Sequence, residues 1–153
     1  AAKDGRFNVA PKGMDSFRIL DKNKVAWLNL TGSGNETPPH LLDINRMTIM
    51  FCDFNDRPMV LRLYGTADVI HTKDAVWMEK AALFPEMAGS RQIFEMTEDL
   101  VQTSCGFGVP LFDYVADRDT LTKWAENKGD EGVAVYWQEK NVKSLDGKPT
   151  GIL

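Results

Sequence analysis

The chain has little cysteine and little histidine, 2 of each in 153 residues, and that scarcity narrows its chemistry. Cys52 and Cys105 lie far apart, form no CxxC pair and have no nearby histidine, so a metal site is not expected. Two half-buried thiols in a cytoplasmic protein are the preferred reading, with a disulfide between them as the alternative. No apolar run approaches the roughly 20 residues that cross a bilayer, so no membrane partner is expected. A net charge of -4 without a basic cluster argues against nucleic acid as a partner, although a phosphate ligand needs only a local set of donors. Ser33 and Ser104 have no histidine base and orienting carboxylate marked beside them, so neither reads as a nucleophile.

What is present is an ordinary globular composition, 43% apolar and 26% charged, of a length that suits one domain over residues 1–153. Asp4-Gly5 is a hairpin-turn pair, followed by the strand-like Arg6-Phe7-Asn8-Val9-Ala10; a hairpin needs a strand before its turn, so a further N-terminal strand upstream of Ala1 is expected. Strands are predicted over 16–20, over 25–30, over 47–54 with both faces apolar and therefore covered, over 59–70 with a bulge at Gly65, and over 92–104. Helices are predicted over 73–84, capped by Thr72 and stopped by Pro85, and over 119–127 and 130–141, separated by Gly129. The sum is a mainly β chain, one antiparallel barrel with peripheral helices.

One segment points to chemistry. Thr31-Gly32-Ser33-Gly34-Asn35-Glu36-Thr37-Pro38-Pro39 leaves an apolar strand and enters a helix containing Leu41, Leu42 and Ile44. Thr37 suits the N-cap and Pro38 the first helical position. The glycines let backbone N–H groups turn to a ligand, Thr31, Ser33 and Thr37 add hydroxyls, and Asn35 adds an amide. Such donors at a helix start can hold an anion; a tight, well-capped loop is the plainer alternative. No Lys-Ser/Thr follows the glycines, so this is not a Walker A loop.

These residues carry a resemblance. Arg6 to Gly13, Val25 to Thr37, Met47 to Phe51 and Leu61 to Gly65 resemble the flavin-binding barrel of the pyridoxamine 5'-phosphate oxidase-like family, and Val101 to Pro110 resembles a later segment in one branch of it. The resemblance spans nearly the whole chain. It implies an antiparallel split β-barrel that binds FMN at the interface of a homodimer, a cytoplasmic flavoprotein and FMN-dependent oxidoreductase acting on a small-molecule substrate or electron donor. It places Lys12 near the flavin ring, Trp27 and Leu28 on a strand whose backbone touches the cofactor, and Thr31, Ser33, Asn35 and Thr37 around the phosphate. Arg62 is implied as a polar cofactor contact, and Gln102, Thr103 and Ser104 as contributions of the partner subunit.

Members active on pyridoxamine phosphate place an adjacent Arg-Lys pair on the FMN phosphate, where this loop reads Gly34-Asn35-Glu36-Thr37. A phosphate facing Glu36 is unfavourable by about 1 kcal/mol or more at ~4 Å, so Glu36 is expected to turn away, leaving the phosphate to neutral donors with Lys12 and Arg62. No C-terminal Arg/His set matches the family's pyridoxal-phosphate pattern, which argues against that substrate. Two rival readings remain, a flavin or haem carrier or sensor without turnover and a deazaflavin-dependent reductase. His40 and His71 read as structural, Trp27, Trp124 and Trp137 as core or interface, and Phe107 and Tyr114 as shields for a flavin edge.

Overall fold

A computed structural model describes residues 2–153 of the chain. Five strands, β1 (Phe17–Asp21), β2 (Lys24–Leu30), β3 (Met47–Cys52), β4 (Met59–His71) and β5 (Ser90–Cys105), form one antiparallel sheet in the order β1-β2-β5-β4-β3. Three helices accompany it: α1 (Thr37–Asp43), α2 (Trp77–Ala81) and α3 (Thr120–Tyr136), the last running into a π-helical turn at Trp137–Asn141. This is the mainly β, antiparallel architecture expected; the edges β1 and β3 do not hydrogen-bond to each other, although Phe17 and Phe51 bring them together with ring centroids 5.2 Å apart.

β2 shows why the sheet has two cores. Its side chains alternate between faces: Val25 and Trp27 join Phe94, Met96, Ala67, Leu63 and Leu41 on one face, while Ala26 and Leu28 join Ile93, Ile70 and Phe84 on the other. Trp27 stacks on its cross-strand partner Phe94, with ring centroids 4.8 Å apart and planes 13° from parallel. Trp77 and Ala81 of α2 cover the second face.

Gly65 sits where the β4–β5 register shifts, between Tyr64 and Gly65. A Cβ there would lie 2.0 Å from the Thr97 carbonyl oxygen, so only glycine fits, and the bulge bends both strands.

Several expectations are corrected. Residues 6–10 form no strand and the segment around Asp4-Gly5 forms bends rather than a hairpin; Arg6 is instead ion-paired to Asp146. β3 is a sheet edge whose faces are not both covered as expected: Met50 is 52% exposed among the described residues. α2 starts at Trp77 rather than Lys73 because the Asp74 carboxylate accepts the His71 N–H (2.7 Å) and ties residues 71–74 into a turn. The cap of α1 is Glu36, and Thr37 is the first helical residue, its hydroxyl accepting from Asn8 Nδ2 (3.0 Å). The break at Gly129 (φ 64°, ψ 172°) divides α3 as anticipated. Cys52 and Cys105 are free thiols; β4 lies between their strands and their side chains leave opposite faces of the sheet, so a bridge between them is excluded.

Candidate functional site

The loop after β2 is built from beneath by a residue that sequence reasoning missed. Arg91, at the start of β5, is 1% exposed. Its guanidinium donates to the Gly32 carbonyl (3.0 Å), the Gly34 carbonyl (2.7 Å) and Asn141 Oδ1 (2.8 Å). Asn141 Nδ2 adds a second bond to the Gly32 carbonyl (3.0 Å). Burial lowers the Arg91 pKa to about 10, against the opposing pull of Tyr136 and Glu36, so it stays charged at neutral pH. A charge this buried is tolerable only because two carbonyls and an amide oxygen replace water. In sequence the pair Arg91-Gln92 opens an apolar strand and reads as a solvated terminus, which is why it carried no signal.

Other donors of the loop are already engaged. Thr31 is fully buried; its hydroxyl donates to the Gly89 carbonyl (2.7 Å) and accepts from Trp137 Nε1 (2.8 Å). Asn35 Nδ2 donates to the Lys143 carbonyl (2.8 Å) and holds the C-terminal segment against the loop. Ser33 remains exposed, while Thr37 is half-buried. Glu36 does not turn away: its carboxylate accepts the Asn35 backbone N–H at 3.0 Å. With only seven residues, α1 has little dipole to offer an anion.

Beside the loop lies a cleft of about 720 Å³, bounded by Lys12 and Gly13, by Thr31 and Gly32, and by Arg118, Trp124 and Tyr136. The far wall exists because α3 folds back at Gly129, which brings Trp124 and Tyr136 into edge-to-face contact at 5.1 Å. Lys12 Nζ lies 4.9 Å from the centre of the Trp27 ring and donates weakly to Asn29 Oδ1 (3.5 Å). Desolvation lowers its pKa, helped by the Arg91 charge and opposed by Glu36. Behind Lys12 a buried polar row crosses three strands: Asn29 Nδ2 donates to Gln92 Oε1 (3.3 Å), and Gln92 Nε2 meets His71 Nδ1 at 3.5 Å. Burial lowers the His71 pKa, so the neutral ring can accept that bond.

The remaining expected site residues divide. Trp27 sits under Lys12, whereas the Leu28 side chain is in the core, 2% exposed. Arg62, Gln102 and Ser104 form a second group: Arg62 Nη1 donates to Ser104 Oγ (2.9 Å), and Tyr64 Oη donates to Gln102 Oε1 (3.3 Å). Thr103 points to the opposite face, since neighbours on a strand alternate. Arg62 lies 9 positions from His71 along β4, about 30 Å at ~3.3 Å per residue. Within one chain, Arg62 therefore does not join Lys12 at the loop. Tyr114 lines a different groove, with Phe51, Phe54 and Phe112, and Phe107 is 82% exposed. No helix among the described residues is long and apolar enough to cross a membrane.

No protein-family model matches the sequence. The pyridoxamine 5'-phosphate oxidase family protein ustO of Aspergillus flavus is 38% identical over 162 aligned residues, an alignment that takes in 93% of this chain. The chain spans 64% of the length of that relative. A crystal structure of a point variant of HupZ from Group A Streptococcus superposes with a TM-score of 0.52 at 21% identity, over 67% of this chain and 83% of that one, a likeness of fold. A sheet of this order and the glycine loop leading into α1 thus accompany a sequence that, over nearly all of the chain, is similar to that of a pyridoxamine 5'-phosphate oxidase family protein.

Proposed function

We propose that the protein binds FMN in the Lys12 cleft and acts as an FMN-dependent oxidoreductase on a small molecule. The observation that carries this reading is the Lys12 ammonium, held over Trp27 on the wall of a cleft of about 720 Å³, within the roughly 300–1,000 Å³ usual for cofactor sites. The cleft fits a flavin phosphate in charge as well as size, since Lys12 and Arg118 both border it. Neither Gly13 nor Gly32 would bring an added Cβ within 4 Å of another residue, so the backbone there is open to a ligand. Lys12, the neighbouring Ser33 and the Gly32 backbone would hold the cofactor from this chain, whereas Thr37 lines a separate groove with Asn8 and His40. Thr31, Asn35 and Leu28 would act by fixing the loop and strand. A bound flavin supplies the hydride chemistry; the protein positions it, places a cation beside it and excludes water between α3 and the sheet.

The second group, Arg62, Gln102 and Ser104 with Thr103 on the reverse face, would reach the flavin only from another copy of the chain. We therefore infer a homodimer that covers the exposed ends of β3, β4 and β5. Met50, Leu100 and Val101, 52%, 56% and 58% exposed, are its apolar material.

Purified protein that is yellow, and whose flavin absorbance bleaches with a nicotinamide donor, supports the oxidoreductase. Colourless protein that takes up no FMN at micromolar concentration contradicts it. A carrier is the competing reading, favoured by one feature: the titratable groups lining the cleft are Lys12, Asp117, Arg118 and Tyr136, with no histidine or paired carboxylates. Bound flavin inert to donors would select the carrier, a Soret band a haem protein, and a deazaflavin spectrum the third cofactor class.

A further inference from the structure

We propose that His71 is a positioning residue for Lys12: through the amides of Gln92 and Asn29 the neutral ring holds the Lys12 ammonium on the cleft wall, and the imidazolium lets it go. This rests on reading the cleft as the cofactor site, and it adds a control from two strands beyond Asn29, about 10 Å at ~4.8 Å per strand. Register puts the residues in one line. Asn29 of β2 faces Gln92 of β5, which faces His71 of β4, and directly paired residues on neighbouring strands share a sheet face. Lys12 closes the line at the cleft, where Asn29 Oδ1 is its only hydrogen-bond acceptor among the described residues.

The two ends dictate the direction of the line. A side-chain amide has one accepting and one donating end, whereas an ammonium only donates, so Lys12 requires Asn29 Oδ1 (3.5 Å). Asn29 then gives Nδ2 to Gln92 Oε1 (3.3 Å), and Gln92 gives Nε2 to His71 Nδ1 (3.5 Å). Nδ1 must therefore carry a lone pair, which assigns the ring proton to Nε2. An imidazolium donates from both nitrogens and would set donor against donor. Asn29 and Gln92 are 4% and 1% exposed, so neither amide can turn to water instead. Protonation of His71 turns both amides over together and leaves Lys12 facing the Asn29 NH2 group. All three contacts are long, so little is broken in the reversal.

The charges at each end suit this competition. His71 faces Asp74 and Lys73 in the turn after β4, and the uncharged Gln92 on β5. From the C-terminal segment it faces the backbone at Gly151, where an added Cβ would lie 3.8 Å from Nε2. Asp74 favours the imidazolium, while burial, the larger effect, and Lys73 oppose it. The ring is thus neutral at neutral pH and gains its proton on acidification. At the other end Glu36 attracts Lys12, so once Asn29 lets go, Glu36 competes for the ammonium with the Trp27 ring.

The test is an NMR titration of the protein, whose 2 histidines make His40 the internal reference. Lys12→Met is expected to raise the His71 midpoint, because the amides can then serve the imidazolium without abandoning an ammonium. In a Gln92→Leu background the same change should leave the midpoint where it is. A midpoint that ignores Lys12→Met overturns the proposal, and so does a shift that persists with Gln92→Leu, the mark of direct repulsion between charges. Should Gln92→Leu not fold, the parent decides. The side-chain NH2 signals of both Gln92 and Asn29 should move at the His71 midpoint, and an Asn29 signal that stays still overturns the line. FMN, and riboflavin with no phosphate to titrate, should both bind about tenfold more weakly below that midpoint, a dependence that His71→Gln removes. Flavin binding equal above and below it overturns the positioning role and leaves the cofactor reading standing. Coupling of Lys12 to His71 without any flavin binding supports the line and removes the cofactor reading.

Discussion

Where β4 and β5 run beside β2, both faces of the sheet are covered; where they run beside β3, much of it is bare. Ile93, Phe94 and Met96 are 0% exposed, while Leu100 and Val101, a few positions along the same strand, are 56% and 58% exposed. The two stretches are about equally apolar in sequence. The difference lies in what surrounds them: β2 flanks the first within the sheet while Leu41 of α1 and Trp77 and Ala81 of α2 pack on its two faces, and the second ends at an edge strand. The Gly65 bulge marks the boundary between them. Apolar content alone therefore does not say whether a strand is core. It says that something covers the strand, and in the second half the cover we propose is another copy of the chain.

The sharpest contrast is a pair of truncations. Phe94→Ala removes a fully buried ring stacked on Trp27 and is expected to cost about 4 kcal/mol. Val101→Ala, in the bare half, should stay within roughly 0.5 kcal/mol under conditions that keep the protein monomeric. Urea unfolding of both variants decides; equal losses would erase the distinction. At the boundary, Gly65→Ala forces a Cβ towards the Thr97 carbonyl and is expected to cost about 2 kcal/mol through backbone displacement, seen as a lowered unfolding midpoint. Leu100→Asp should leave the monomer's unfolding nearly unchanged yet abolish the dimer in sedimentation. A dimer that survives would place the interface elsewhere.

The covered half also carries the pH dependence. Burial lowers the pKa values of His71 and His40, so the unfolded chain takes up protons first as pH falls. The stability these neutral rings contribute is complete above the unfolded histidine value of about 6.5 and is lost as pH drops through their lower folded values. His71→Gln should flatten the fall in unfolding midpoint below pH ~6.5. An unchanged slope would remove His71 from the account.

Much of this was legible in the sequence, for physical reasons. Val25 to Leu30 read as a strand from its apolar run and 92–104 as a long strand, and Gly65 and Gly129 announced a bulge and a helix break; the both-faces pattern of 47–54 misled, because β3 is an edge. What escaped were features with no periodicity. The Phe7 region has the composition of a strand but no partner to pair with, and 73–84 has a helical apolar pattern that the Asp74 turn pre-empts. At the site, the glycine loop and Lys12 were visible. Arg91, Asn141 and the turned-in Glu36 were not, because a buried charge under a loop looks in sequence like any surface charge. The spacing of Arg62 from His71, about 30 Å along β4, is likewise a property of register, which local pattern does not contain.

The most direct test of the central claim is a crystal structure of the protein grown with FMN. The account predicts FMN in the cleft between Lys12 and α3, with its ring system on the Lys12–Trp27 wall. FMN lodged away from this cleft, or a cleft left empty at saturating FMN, would contradict it.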